Sequence, residues 1–439
     1  MATPDGTLAR NDNFHPSIVT VTLNPAVDLF VSVDELRPGE LHRVEAPQQY
    51  PGGKGINVAK LLAELGIPTR ATGFLGGSRG QFIAKELDRL GITSDFIEIA
   101  AETRVNVKVI DAAGNLTEFN SPAPDIRPDE WARLTEYLRG RGSRTSTVAS
   151  SAGAANPIGA QPAAAQRTAA NPIGGHPIGA IPVGASAVAN SAHAWVAYCG
   201  NLPTGCPDAW YREAIRAAKE AGYRTLLDAS GPALARGIEA GPDVIKPNAH
   251  ELSEITGRDC NSVESVARAA AELVAGGVGI AVVSMGPDGV VAVAGDGWGG
   301  APGSTGSGEA GPSVNEPPGG AEPARAASAP PRTAESLDTR AAAPPSAAEP
   351  LGTRAAAPHK PRAIRVRVPI VPVTSPVGAG DTVVAALLYG LSRGTPFDEA
   401  VRYAAAAGTA KVQKPGNMHP GRDEIETVLR GTTVEPLEL

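Results

Sequence analysis

Several residue types that mark large protein classes are scarce in this chain. It has three cysteines in 439 residues, Cys199, Cys206 and Cys260. That odd count, without metal-ligand spacing, argues against a disulfide framework or a cysteine-bound metal. Basic runs are missing, and 39 Lys+Arg against 46 Asp+Glu give a net charge of −7. A nucleic-acid partner is therefore not expected. No stretch of about 18 consecutive apolar residues occurs, and no basic segment followed by an apolar one stands at the N-terminus. Neither a membrane span nor secretion is expected, and the chain reads as cytoplasmic.

Glycine (51) and proline (40) are instead abundant, and they concentrate in two tracts, Ser143–Ala192 and Gly297–Arg362. The first repeats a Pro-Ile-Gly unit at Asn156–Gly159, Asn171–Gly174 and His176–Gly179. In the second, Leu337–Pro344 recurs as Leu351–Pro358. Neither tract has helical or strand periodicity, so both are expected to be disordered insertions at loop positions. Removing them leaves roughly 320 residues, enough for one large α/β domain. Short β-branched stretches read as strands at Ser17–Leu23, Leu29–Val33, His42–Glu45, Val105–Ile110, Leu116–Phe119, Ala194–Tyr198, Arg224–Asp228, Val244–Ile245 and Ile280–Ser284. Helical patterns follow many of them, with Val58, Leu61, Leu62 and Leu65 on one face and a further helix over Asp208–Ala221. This alternation predicts a mostly parallel sheet covered on both faces. The polar alternation near residues 29–45 and 105–120 predicts a second, small exposed sheet.

Pro376-Val-Gly-Ala-Gly-Asp-Thr382 runs into the apolar segment Val383–Leu388. A Gly-Ala-Gly turn opening a helix aims backbone N–H groups and the positive helix end at an anion. An Asp beside such a cradle suits a carboxylate that takes a proton from an attacking hydroxyl, which points to phosphoryl transfer. The plainer alternative is an Asp that caps the helix. Gly53 and Lys54, in Pro51-Gly-Gly-Lys-Gly-Ile-Asn57, also precede a helix and suit a sugar hydroxyl or a phosphate. Asp28 follows the first strand and can accept from sugar hydroxyls. Arg104, Asn106 and Lys108 share one strand face. A guanidinium there suits bidentate phosphate binding, although a solvated strand face has the same pattern. Lys246, Asn248 and Glu251 follow a short apolar strand, where Lys246 suits nucleotide phosphates and Glu251 could order Mg²⁺ through water. Ser284, Gly286 and Gly289 form a turn that admits a nucleotide. All these turns sit after strands, where open α/β sheets bind ligands.

The ordered set Asn24-Pro-Ala-Val-Asp28, Gly52-Gly-Lys-Gly-Ile-Asn57, Thr103-Arg104, Lys246-Pro-Asn-x-x-Glu251, Ser284-x-Gly-x-x-Gly289 and Gly378-Ala-Gly-Asp381 resembles the ribokinase-like (PfkB) carbohydrate kinases over about residues 17–429, outside the two tracts. Within that family it is most similar to the branch of 1-phosphofructokinases and tagatose-6-phosphate kinases. The resemblance implies a three-layer α/β sandwich with a mostly parallel central sheet. A small β-sheet lid, serving also as a homodimer contact, would cover the sugar. ATP and Mg²⁺ are implied, with Asp381 as general base and Gly378, Ala379 and Gly380 as the anion hole. Lys246, Asn248, Ser284, Gly286 and Gly289 would serve ATP, and Glu251 the metal. Asp28, Gly53, Lys54, Asn57, Arg104 and Asn106 would hold the acceptor. Fructose 1-phosphate leads as that acceptor, with tagatose 6-phosphate and fructose 6-phosphate as alternatives, and an inactive binding regulator as a reading of another class.

Two departures stand out. The family often has Ser-Gly-Ser-Leu-Pro where this chain has Cys199-Gly-Asn-Leu-Pro203, which leaves the substrate contact at Asn201 open. The second tract parts the strands Val290–Val293 and Ile364–Val368, which the family joins by a short turn near the nucleotide site. An insertion there is expected to hinder ATP or regulate its entry.

Overall fold

Runs of β-branched residues bounded by glycine and polar turns, each trailed by a helix with one apolar face, dictate a layered α/β arrangement. The computed structural model describes residues 18–44, 46–138, 194–298 and 361–439, all within one compact unit. The chain begins with β1 (Ile18–Thr22), β2 (Ala26–Ser32), β3 (Gln48–Gly52), α1 (Lys54–Glu64), β4 (Thr69–Gly76), α2 (Gly77–Arg89), β5 (Thr93–Ile99), β6 (Arg104–Ile110), β7 (Leu116–Asn120) and α3 (Pro128–Leu138). Beyond the first tract come β8 (Trp195–Cys199), α4 (Trp210–Glu220), β9 (Arg224–Asp228), α5 (Gly231–Ile238), β10 (Val244–Ile245), α6 (Ala249–Thr256), α7 (Val263–Ala275), β11 (Ile280–Ser284) and β12 (Val290–Ala294). The second tract precedes β13 (Arg362–Arg367), α8 (Ala379–Ser392), α9 (Phe397–Lys411), α10 (Arg422–Leu429) and β14 (Thr433–Leu437).

Ten strands form the main sheet, in the order β14-β13-β12-β11-β10-β9-β8-β1-β4-β5. From β11 to β5 all neighbours are parallel, whereas β12, β13 and β14 add antiparallel. Parallel strands need both faces covered. Val58, Leu61 and Leu62 of α1 join the α8 and α9 side chains on one face, in a core with Ile18, Trp195 and Ala197. Tyr211, Ile215, Leu234, Leu252 and Val266 cover the other face, against Val19, Val21, Val196 and Tyr198. Alternate residues of β1 and β8 thus point into different cores, as the two-residue period requires.

The second sheet has the order β3-β2-β6-β7. Its outer strand corrects the reading at His42–Glu45: residues 42–44 form no strand, residue 45 lies outside the described residues, and the strand that pairs with β2 is Gln48–Gly52. Leu41 is 79% exposed there, so the apparent alternation has no sheet to bury it. Pro51 fits β3 because an edge strand need not donate on its outer side.

The expectation of disorder falls on residues 143–192 and on most of 297–362, which lie outside the described residues. The points where the second tract joins the described body are given by its flanks. Ala294 and Arg362 are direct cross-strand partners, level with Ile280 at the start of β11, while Val290 lies level with Ser284 at its end. The tract therefore leaves from the amino ends of the parallel strands, opposite the end where ligands bind in such sheets. Its points of attachment are thus at the end away from the Ser284–Gly289 turn rather than beside it. Trp195, which follows the first tract, meets Trp298, at the start of the second, at a ring separation of 6.1 Å. The Arg224 guanidinium lies 4.3 Å from the Trp298 ring and 5.9 Å from Trp195.

Replacing residues 299–360 by a short glycine-containing turn should leave kcat/KM within about 3-fold of wild type, because long surface loops add little to closure entropy. A loss beyond about 10-fold in a folded variant would return the tract to a role in the site.

Candidate active site

The apolar sequence of α8 has no polar face, and ten of its fourteen residues are buried. It is consequently a central helix, and its positive end points into the site at the carboxyl ends of the parallel strands. Gly378, the residue before it, has φ 79°, a left-handed conformation that a Cβ makes unfavourable. The Thr382 amide donates to the Gly378 carbonyl at 2.9 Å and the Ala379 amide to Pro376 at 3.2 Å. The amides of Gly380 and Asp381 then belong to the first helical turn, which has no intrahelical acceptors.

Asp381 is 7% exposed. Its Oδ2 accepts from Asn57 Nδ2 at 2.7 Å, and Asn57 Oδ1 accepts from Asn417 Nδ2 at 2.9 Å. Burial raises the Asp381 pKa to about 6, and the negative Asp228 adds to the rise, against the Asn57 hydrogen bond and the Lys54 and Lys246 charges. A carboxylate poised there is charged at neutral pH yet basic enough to accept a proton.

Asp228 closes β9 and is 1% exposed. Its Oδ1 lies 3.4 Å from both Lys54 Nζ and Lys246 Nζ. Burial alone would raise its pKa, but the two ammonium groups outweigh burial and hold it below the ordinary carboxylate value. Lys54 is in turn held above the ordinary lysine value, mainly by Asp228 against the effect of burial, with further help from Asp381 and Glu251. Asp228 was not singled out from the sequence, although its place as the last residue of a strand was a usable signal. Asn417, in a Pro-Gly-Asn turn, offered none.

On the small sheet, β2 and β6 align Ala26 with Arg104 and Asp28 with Asn106, while β2 and β3 align Ala26 with Gly52. Arg104, Ala26 and Gly52 therefore form one cross-sheet row that leads into Gly53, the cap of α1, and Lys54. Asn106 Nδ2 donates to Asp28 Oδ1 at 3.1 Å, and Arg104 Nη1 donates to Asn106 Oδ1 at 3.1 Å. Burial raises the Asp28 pKa, partly offset by Lys108 and Asn106. Lys108 shares the face but pairs with Glu118 at 2.6 Å.

The remaining turns divide. Asn248 and Glu251 form a capping box on α6: Asn248 Oδ1 accepts from the Glu251 amide at 2.8 Å and Glu251 Oε2 accepts from the Asn248 amide at 2.9 Å. Asn248 also bridges to Ser284, so the Lys246 and Ser284 turns are brought side by side. Gly286 borders open space, whereas a Cβ on Gly289 would stand 2.1 Å from the Val366 carbonyl oxygen. Close approach of β13 is sufficient reason for glycine at 289. Asn201 is exposed and accepts from Ser230 Oγ at 2.6 Å.

The model of the pfkB family of carbohydrate kinases matches residues 19–139, 184–304 and 353–424. The chain belongs to that family, and as a sugar kinase it transfers a phosphoryl group to a hydroxyl. It is 28% identical to the 1-phosphofructokinase of Rhodobacter capsulatus, over 96% of this chain and 98% of that protein. Identity to the 1-phosphofructokinase of Borreliella burgdorferi is 27%, over 91% and 93%. The structure of phosphofructokinase-2 from Escherichia coli in complex with substrates and products has the same fold, with a TM-score of 0.64 and 24% identity, over 94% of this chain and 98% of that one. Kinases of this family take the phosphoryl group from ATP. Among the described residues no helix is long and apolar enough to cross a membrane.

As a base, the Asp381 carboxylate would work only when unprotonated. Activity should therefore rise with pH, kcat/KM for the acceptor increasing about tenfold per unit below pH 6 and levelling off above it. A profile flat down to about pH 4.5 would remove Asp381 as the titrating base.

Proposed function

We propose that this kinase phosphorylates a phosphorylated ketohexose, with fructose 1-phosphate as the acceptor and fructose 1,6-bisphosphate as the product. The observation that carries this reading is the cross-sheet row Arg104–Ala26–Gly52, which runs on into Gly53 and Lys54, with Asn57 of the same helix bonded to Asp381. Two cations near one acceptor pocket suit a sugar that already bears a phosphate, since Arg binds such a group bidentately. Asp28 and Asn106 would meet the sugar hydroxyls. The acceptor hydroxyl would lie against Asp381, which would take its proton as the oxygen attacks the γ-phosphoryl group of ATP. Negative charge on the transferring group would be met by the Gly378–Asp381 amides and by Lys246. Asn248, Ser284, Gly286 and Gly289 would border the nucleotide, and the small sheet would close over the sugar to keep water from ATP.

Among the described residues no group of three or more His, Cys, Asp or Glu side chains could hold a metal ion. That donor set fits Mg²⁺ arriving on the nucleotide, since Mg²⁺ usually keeps several waters and takes one or two carboxylates plus phosphates. Glu251 would hold it through water, and the metal would neutralise phosphate charge.

The test is ADP release with Mg·ATP on fructose 1-phosphate, fructose 6-phosphate, tagatose 6-phosphate and free fructose, compared by kcat/KM. Fructose 1-phosphate should lead, and Asp381→Ala should lower its turnover at least about 10²-fold. A preference for a 6-phosphate would change the acceptor and keep the base. Near-normal turnover of Asp381→Ala would refute the assigned role, and no turnover of wild type on any acceptor would favour an inactive binding protein.

The outer strand β7 also offers a self-association edge, with Phe119 57% exposed, and a homodimer through the small sheet is our reading. Sedimentation of wild type as a dimer and of Phe119→Asp as a monomer would support it. A monomeric wild type would end it.

A further inference from the structure

The last turn of α9 buries a lysine. Lys411 is 0% exposed. Among the described residues it has no ion-pair partner, and its Nζ donates to the Gly416 carbonyl at 3.0 Å. A buried ammonium with so little compensation is unfavourable unless another group supplies negative charge. Its surroundings belong to the site. A Cβ on Gly378 would stand 3.6 Å from Lys411 Cε and 3.2 Å from Asn417 Oδ1. Asn417, one residue beyond the carbonyl that Lys411 holds, donates to Asn57, which donates to Asp381. Asn417 Oδ1 and both His419 ring nitrogens are buried without a hydrogen-bond partner.

The charged and titratable groups facing Lys411 are Asp381 from α8, Lys60 from α1 and His419 from the loop after α9. Burial, followed by the Lys60 and Lys411 charges, holds His419 well below its ordinary pKa, so the ring is neutral. Burial lowers Lys411 to about 8, with Asp381 opposing and Lys60 assisting the drop. The ammonium form therefore persists at neutral pH.

We propose that Lys411 is a positioning residue for phosphoryl transfer: a built-in monovalent cation that holds the turn at 412–417, and through Asn417 and Asn57 the Asp381 carboxylate, while setting positive charge beneath the first turn of α8. This rests on reading Asp381 and the α8 amides as the phosphoryl-transfer site. The charge missing around Lys411 is then supplied by the reacting phosphate, so its effect is larger as negative charge develops than in the resting site. Lys411 escaped the sequence reading because a lysine closing a helix is ordinarily a dipole partner in solvent.

Two variants test this, each first checked for folding by its melting curve. Lys411→Met keeps volume and removes charge. It should lower kcat about 10-fold or more, while KM for the sugar phosphate changes less than about 3-fold. Lys411→Ala opens a space beside the Gly416 carbonyl. Ammonium or potassium chloride should raise its kcat several-fold, sodium or choline chloride at equal ionic strength should not, and wild type should respond to neither. A folded Lys411→Met with wild-type kcat overturns the proposal, as does a folded Lys411→Ala whose lost turnover no cation restores. If both variants unfold, the wild-type profile decides. A fall in kcat/KM above about pH 8 that survives in Lys60→Met supports Lys411, and a profile flat to about pH 9.5, or a fall abolished by Lys60→Met, rejects it. Asp381→Asn separates the two levels: if it is inactive while Lys411→Met is normal, only the lysine proposal fails, and if it is active the site itself has been misread.

Discussion

The arrangement depends on burying opposite charges together at the mouth of one helix. Asp381 and Asp228 are nearly inaccessible, and Lys54 and Lys246 bracket Asp228. Either carboxylate alone in such surroundings would be expelled or protonated. Instead the two lysines keep Asp228 ionised, which leaves Asp381 as the carboxylate whose proton affinity rises. The rise opposes stability. The folded-state pKa of Asp381 exceeds its unfolded value, so ionising it weakens the fold as pH climbs from about 4 to 6, by roughly 1–3 kcal/mol. Asp381 thus carries a stability cost at neutral pH, the kind of strongly perturbed buried carboxylate that clusters at functional sites.

The scaffold around this cluster is apolar and stiff. Helix α8 is wrapped by α1 and α9, and Val384, Ala385, Leu387 and Ala404 are fully buried. Close packing of this kind allows little movement of the α8 N-terminus. Asn57 is fixed on α1 and reaches Asp381 across 324 positions of sequence. The small four-stranded sheet is built differently, joined to the main body through short turns.

Much of this was legible in the sequence because it rests on local patterns. The turn at Gly378–Asp381, the glycines before α1 and the strand ends at Ser284 and Lys246 each combine a turn signal with an adjacent periodic segment. Pairing partners were less accessible. Strand β3 contains Pro51 and two glutamines, and only its neighbour β2 makes it a strand. The Asp228 contacts join residues from β9, α1 and the turn after β10, a convergence set by sheet order. Glu251 shows the opposite ambiguity. The feature that marks it as a metal residue by motif also makes it a helix cap, and the capping bonds are what the structure displays.

The Trp195–Arg224–Trp298 contact joins the chain just after the first long tract to the start of the second. It sits at the amino ends of the strands, with the length of the sheet between it and Asp381. Sequence added at these two junctions enters the described body at the end remote from Asp381. The chain has in effect a docking port for added sequence, where reporters or whole domains could be grafted at the end remote from Asp381.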